Sequence, residues 1–321
     1  MKTYQVSAFD QPATFVEVQA PQPKSGEVLV RINSCGLNFA DLLMLKGEYQ
    51  ETPEPPFTPG LEICGTIEAL GPDTDGPEIG TRVAIFGGSG GLAEYGVFPV
   101  ERAVVVPDEM SSEIAAGFQV AYGTSHLALK HRARMQAGET LVVMGAAGGV
   151  GLTAVEVGKI MGARVIACAR GEDKLATAKA AGADHVLDSA NADLRSAIKE
   201  LGGADVVYDP VGGDQFIDVF RACNPEARML AIGFASGKVP ALKANHMLVK
   251  NIDVMGFYWG GYLKFNPKAL TDSMAELMDW HAKGLLEPHI SHVLPFDQVE
   301  EGLDLLRSRR STGKVVIKIA D

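Results

Sequence analysis

The sequence predicts an α/β protein, a doubly wound parallel sheet with a β-rich part on either side of it. Three observations carry this. Between Glu139 and Gly260, short apolar runs alternate with amphipathic helical stretches, as in a parallel sheet covered by helices on both faces. At the head of that series, "VVMGAAGGVGLTAVEVGKI" (Val142–Ile160) crowds Gly145, Gly148, Gly149 and Gly151 between a strand and a helix. Before Met110, period-two alternation is broken by proline-rich turns, the texture of β-structure.

With 321 residues, 46% hydrophobic and 21% charged, the chain can form two compact soluble domains. A formal net charge of -11 argues against nucleic-acid backbones and anionic membranes as partners, while leaving room for a local basic cleft. Cys35, Cys64, Cys168 and Cys223 are scattered without paired spacing, and "MKTYQVSAFD" has no apolar signal-peptide core. No window has the uninterrupted apolar length that spans a bilayer. Together these features lead us to expect a cytoplasmic protein with free thiols.

Taken in order, "EVLVRINSCG" and "TRVAIFGG" alternate as half-buried strands, with the loop "ETPEPPFTPG" between them. "LAEYGVFPVERAVVVP" reads as two more short strands of a closed or partly closed barrel. "SSEIAAGFQVAYGTSHLALKHRA" has helical spacing behind an N-capping serine. The alternating series follows: "ETLVVMG", a helix over 149–161, "ARVIACA", "GEDKLATAKAAG", "HVLD", "LRSAIKELG", "ADVVYDPVG", "QFIDVFRACN", "ARMLAIGFASG" and "NIDVMGFYWG". After it come the helix "ALTDSMAELMDWHAKGLL" and the strand "GKVVIKIA", which is placed to rejoin the first domain. The apolar "NIDVMGFYWG", as the last strand, has an open edge, and a homodimer through Asn251–Trp259 is expected.

The glycines answer to a ligand. In register, Ala146, Gly148 and Gly151 occupy the three positions of a dinucleotide fingerprint, with alanine at the first. Gly148 lets backbone amides approach a pyrophosphate at the helix N-terminus, and Gly151 lets the helix lie close to the sheet. The cofactor cradle is therefore assigned to Ala147, Gly148, Gly149, Val150 and Gly151. An NAD site carries an acid at the end of the second strand, to bind both ribose hydroxyls. Here "ACAR" ends in Arg170, with Lys174 one turn on, and two cations suit the 2′-phosphate of NADPH; solvated surface charges are the alternative. Glu172 and Asp173 lie in a first helical turn, where acids are common. The seven histidines show no metal-binding grouping.

"GLNFADLLMLKGEY", "PPFTPGLEICGTIEALG", "GAAGGVG" and the terminal "STGKVVI", in this order, resemble the medium-chain dehydrogenase/reductase superfamily. Within it they resemble the quinone oxidoreductase (zeta-crystallin-like) branch, over nearly the whole chain. The resemblance implies a Rossmann domain at 121–261 inserted into a GroES-like catalytic domain at 1–120 and 262–321. Zinc-dependent members place a cysteine and a histidine where this chain has Asn38 and Leu61, and their four-cysteine lobe is missing, so no metal is expected. The resemblance puts Asn38 and Tyr49 at the acceptor, with plain structural roles as the alternative, Asn38 capping the helix that begins near Ala40, and it carries cofactor contacts onto Gly148, Val150, Arg170, Lys174 and Arg309. Asp41 is read as capping or orienting that helix. Two positions depart from the branch: Ser189 replaces a common tyrosine, and Glu156 a usual glutamine.

Without a Lewis acid, oxidising an alcohol is difficult, whereas a quinone or an α,β-unsaturated carbonyl takes hydride directly at carbon. The expected activity is NADPH-dependent, zinc-independent reduction of such an electrophile. The alternatives are an enoyl-thioester reductase, or an NADPH-binding protein with little catalysis, crystallin-like or RNA-binding. Charge and the lack of aromatic-basic interleaving count against RNA.

Overall fold

A computed structural model describes residues 1–9 and 11–320. The chain forms two compact units, Met1–Val120 with His289–Asp321, and Ala121–Pro288.

The first unit opens with an antiparallel pair, β1 (Lys2–Gln5) and β2 (Thr14–Glu17). The eleven-residue β3 (Glu27–Leu37) leads into α1 (Phe39–Met44). Then come β4 (Glu62–Leu70), β5 (Arg82–Phe86), β6 (Tyr95–Pro99), β7 (Ala103–Val105) and α2 (Ser112–Ala116). Val28, Val30 and Ile32 of β3 alternate into the core, as the period of two requires, but from Ile32 to Leu37 every residue is buried. On that stretch β3 is paired on both edges, with β4 and β15, and α2 comes close over it: a Cβ on Gly36 would lie 2.3 Å from the Ala116 carbonyl oxygen.

The second unit begins within α3 (Gln119–His126), which runs on as a turn of π-helix over Leu127–Arg132. The alternating series follows: β8 (Thr140–Met144), α4 (Gly149–Ile160), β9 (Arg164–Ala169), α5 (Glu172–Ala180), β10 (His185–Asp188) and α6 (Leu194–Glu200). It continues with β11 (Ala204–Asp209), α7 (Gly213–Ala222), β12 (Cys223–Ala231), α8 (Ala244–Leu248) and β13 (Asp253–Gly256). The six strands are parallel, in the order β10-β9-β8-β11-β12-β13. The order reverses between β8 and β11, and in such sheets ligands bind at the carboxyl ends of the strands beside that switch. Helices α9 (Tyr262–Phe265) and α10 (Pro267–Ala282) complete the unit.

The chain then returns to the first unit as β14 (Ile290–Pro295), α11 (Val299–Arg307) and β15 (Lys314–Lys318). As the sequence suggested, β15 rejoins the first sheet, antiparallel to β3, giving the order β14-β15-β3-β4-β5-β7 with β6 also on β3.

The helical spacing over 111–133 is taken up by α2, capped by Ser111, and by α3 with its π-turn, with Gly117 between them. The compact second unit runs on to Pro288 and so includes α10, which the expected span 121–261 leaves out. Helix α10 belongs to the cofactor-type unit because α3 and its π-turn hold it, through His126 with Ser273 and Lys130 with Glu276.

Candidate active site

In the second unit, every residue of β8 is buried, and the chain leaves it through Gly145, whose φ of 59° favours glycine. The Ala146 N–H donates to the Cys168 carbonyl of β9 at 3.0 Å, and the Gly148 N–H to the Gly145 carbonyl at 2.9 Å, closing a tight turn. A Cβ on Gly151 would come 2.2 Å from the Gly145 oxygen, so only glycine allows α4 to start this close to the turn. At Gly148 the same test meets nothing nearer than 3.4 Å, and the residue is exposed. Its missing side chain therefore serves approach from outside rather than internal packing. Ala147 and Gly151 are buried and shape the loop, while Gly148, Gly149 and Val150 face outward with first-turn amides that no helix carbonyl can take. Asp209, at the end of neighbouring β11, is buried and accepts the Val211 and Gly212 N–H groups, and Val211 packs against Gly145. Burial pushes its carboxyl up.

Arg170 is exposed on the turn after β9, followed by Gly171 at φ 83°, and Lys174 lies in the first turn of α5. The Asp188 carboxylate accepts the Gly171 N–H at 3.4 Å and steadies that turn. Ser189, where the branch often has tyrosine, gives its N–H to the Ala169 carbonyl and takes the Gln215 amide on its own carbonyl. Arg309 belongs to the first unit, on the turn after α11, with a left-handed φ of 56° that an arginine rarely adopts.

In the first unit, Asn38 follows β3 and is the N-cap residue of α1. Asp41, fully buried, accepts the Asn38 N–H at 2.8 Å and the Gly60 N–H at 3.1 Å, the helix-orienting role expected of it. Burial pushes its carboxyl up to about 7, against the pull of the Asn38 amide, the Lys314 charge and the Gly60 amide. The Asn38 side chain is half-buried and bonded on both sides. Its amide donates to the Gly36 carbonyl (3.2 Å) and to Glu62 Oε1 (3.0 Å), while its oxygen accepts from Lys314 Nζ (2.8 Å). The Lys314 ammonium also donates to the Leu37 carbonyl (2.9 Å) and to Glu62 Oε1 (2.7 Å), and Glu62 Oε2 accepts the Val120 N–H (2.9 Å). Leu61 is in the core, 2% exposed. Tyr49 is partly buried beyond α1, its carbonyl accepting from Thr52. Cys35 is buried beside Gly60 and Gly91, and burial holds its thiol well above the usual range. Among the described residues, no three His, Cys, Asp or Glu side chains converge as metal ligands.

Residues 149–281 match the family described as zinc-binding dehydrogenase, and residues 24–108 the alcohol dehydrogenase GroES-like domain. The quinone oxidoreductase-like protein 2 homolog of Nematostella vectensis is 38% identical over 299 residues, which are 91% of this chain and 82% of that one. The chain belongs to the medium-chain dehydrogenase/reductase superfamily. Its place in the quinone oxidoreductase branch rests also on quinone oxidoreductase-like protein 2 of Mus musculus, 37% identical over 314 residues, 96% of this chain and 89% of that one. The quinone oxidoreductase of Thermus thermophilus, crystallised alone and with NADPH, superposes with a TM-score of 0.89 at 33% identity, covering 99% of this chain and all of that one. For this medium-chain dehydrogenase/reductase, the GroES-like and Rossmann folds are thereby settled.

The sequence left Glu62 and Lys314 without a role. Lys314 had one visible signal, a lysine directly before the apolar run Val315–Ile317, and its reach back to Glu62 depends on β15 pairing with β3.

Proposed function

We propose that this protein is an NADPH-dependent oxidoreductase that delivers hydride to a quinone or an α,β-unsaturated carbonyl without a metal ion. The carrying observation is the glycine turn at Gly145–Gly151, which opens α4 at the switch point of a parallel sheet. The outward amides of Gly149 and Val150 hold the pyrophosphate, and Arg170 and Lys174 take the 2′-phosphate, with Arg309 as a further phosphate contact. Bound there, NADPH supplies the hydride. Asn38 and Tyr49 orient the acceptor and donate hydrogen bonds to the oxygen on which negative charge develops. For Asn38 this means exchanging its longest bond, the one to the Gly36 carbonyl, for the acceptor.

Zinc does not suit these donors. Leu61 has no ligand atom, and an ammonium 2.8 Å from the Asn38 oxygen repels a second cation. Four buried, unpaired thiols accord with a reducing compartment such as the cytoplasm.

The deciding experiment is steady-state NADPH oxidation with a panel of quinones, enals, enones and enoyl thioesters, with and without a strong chelator. Turnover of a quinone or enone, unchanged by chelator, is expected. Preference for enoyl thioesters would reassign the substrate. Oxidation of none of them, or activity lost together with stoichiometric zinc, would overturn the reading.

A further inference from the structure

Glu156 stands on α4, two turns after the helix opens at Gly149. Its Oε2 accepts the Tyr122 hydroxyl at 2.5 Å, and its Oε1 accepts the Glu287 backbone N–H at 2.5 Å. The titratable groups facing it are Tyr122 from α3 and Glu287 from the segment after α10, neither of them a cation. Burial raises its carboxyl pKa, the Tyr122 and Glu287 donors lower it, and the Glu287 charge raises it again. Glutamine, usual at this position in the branch, can meet the same two partners only as a neutral group, its oxygen accepting the Glu287 N–H and its NH2 donating to the Tyr122 oxygen, so the charge on both bonds is lost.

Two further bonds seam the same helices, from Ser125 Oγ to the Val150 carbonyl (2.9 Å) and from Thr153 Oγ1 to the Ala121 carbonyl (3.0 Å). Glu156 is the carboxylate of this seam, and within the second unit it ties α3 and the segment after α10 to the helix that carries the cofactor loop.

We propose that Glu156 is a positioning residue for dinucleotide binding, fixing α4 and with it the loop Ala147–Gly151. This rests on the NADPH reading above. Because it acts where the pyrophosphate binds, it serves NADPH and NADH alike, whereas Arg170 and Lys174 discriminate between them.

The test is fluorescence titration of NADPH and NADH from about pH 5.5 to about pH 8, in the wild-type chain, Glu156→Gln and Tyr122→Phe. Near pH 8, Glu156→Gln weakens both dinucleotides about tenfold, charge-assisted bonds being replaced by neutral ones, with kcat at saturating cofactor within about twofold. Towards acid the wild type converges on the variant, because protonation removes what the substitution removed. Tyr122→Phe, which keeps the carboxylate, gives a smaller loss of the same kind and guards against a misfolded glutamine variant. Equal affinities in wild type and both variants, a gap that does not change with pH, or a loss confined to NADPH would each overturn the proposal. Wild-type chain that binds neither dinucleotide would overturn the function reading as well.

Discussion

Lys314 makes three hydrogen bonds in a site where its partner Glu62 is 1% exposed. A buried pair of this kind adds little net stability compared with apolar residues of the same shape, but breaking it strands a charge. Lys314→Met is expected to destabilise the chain by about 3–5 kcal/mol, and adding Glu62→Gln should recover part of that because the stranded charge is gone. Urea unfolding of the single and double variants measures both, and equal stability of Lys314→Met and wild type would refute the argument. At the other end of the reaction, Arg170 can grip a near-dianionic 2′-phosphate with two parallel hydrogen bonds, and Lys174 adds a point charge. Two such contacts amount to about a hundredfold in favour of NADPH over NADH. The check is kcat/KM for both cofactors, before and after Arg170→Ala with Lys174→Ala. A double variant that keeps the full preference would hand the phosphate to Arg309. The cations were legible because their positions follow from one strand end and one helical turn. The bonding of Asn38 to Glu62 and Lys314 was not, since the three are brought together by the pairing of β3 with β4 and β15.

Elements were legible where period and punctuation agreed. The strands and helices from β8 to β12 fall where apolar runs and helical stretches alternate, most clearly at β8, β9 and β11, which are almost wholly buried as central parallel strands are. Over 111–133 the helical spacing and the Ser111 cap were legible, but the break at Gly117 was not, because the apolar spacing runs through it. The fastening of α10 to α3 is tertiary and leaves no mark in the sequence. That fastening carries a pH dependence. His126 is 2% exposed, its Nδ1 is 2.7 Å from Ser273 Oγ, and its ring stands edge-on to Trp280. Burial lowers its pKa from 6.5 to about 4, Glu276 opposing and Lys130 reinforcing. Between those two values the unfolded chain holds the proton and the folded chain does not, so stability falls as the pH drops through this window. Urea midpoints near pH 7 and near pH 4.5 should show the fall, and His126→Gln should flatten it. An equally steep fall in the variant would move the effect to another group.

At the scale of the whole molecule, the sheet of the second unit ends in β13, which is hydrogen-bonded to β12 on one side only. The strand is four residues, Asp253–Gly256, shorter than the stretch Asn251–Trp259 suggested, because Phe257 and Trp259 turn into the unit's own core. Its outer edge still offers backbone groups to another strand, and neither proline nor lysine within it blocks pairing. Just before it, Leu248 and Val249 are 75% and 74% exposed, apolar area that a monomer leaves in water. A two-fold axis at this edge would set β13 against its copy and bury both pairs of side chains, joining two six-stranded sheets into one of twelve. We therefore expect a homodimer, observable by sedimentation at micromolar concentration. Leu248→Lys with Val249→Lys places four like charges at the axis and should shift the protein to monomer while leaving NADPH affinity within about twofold, since these residues lie at the far end of the sheet order from Arg170. A wild-type monomer, or a dimer indifferent to the two lysines, would place the contact elsewhere.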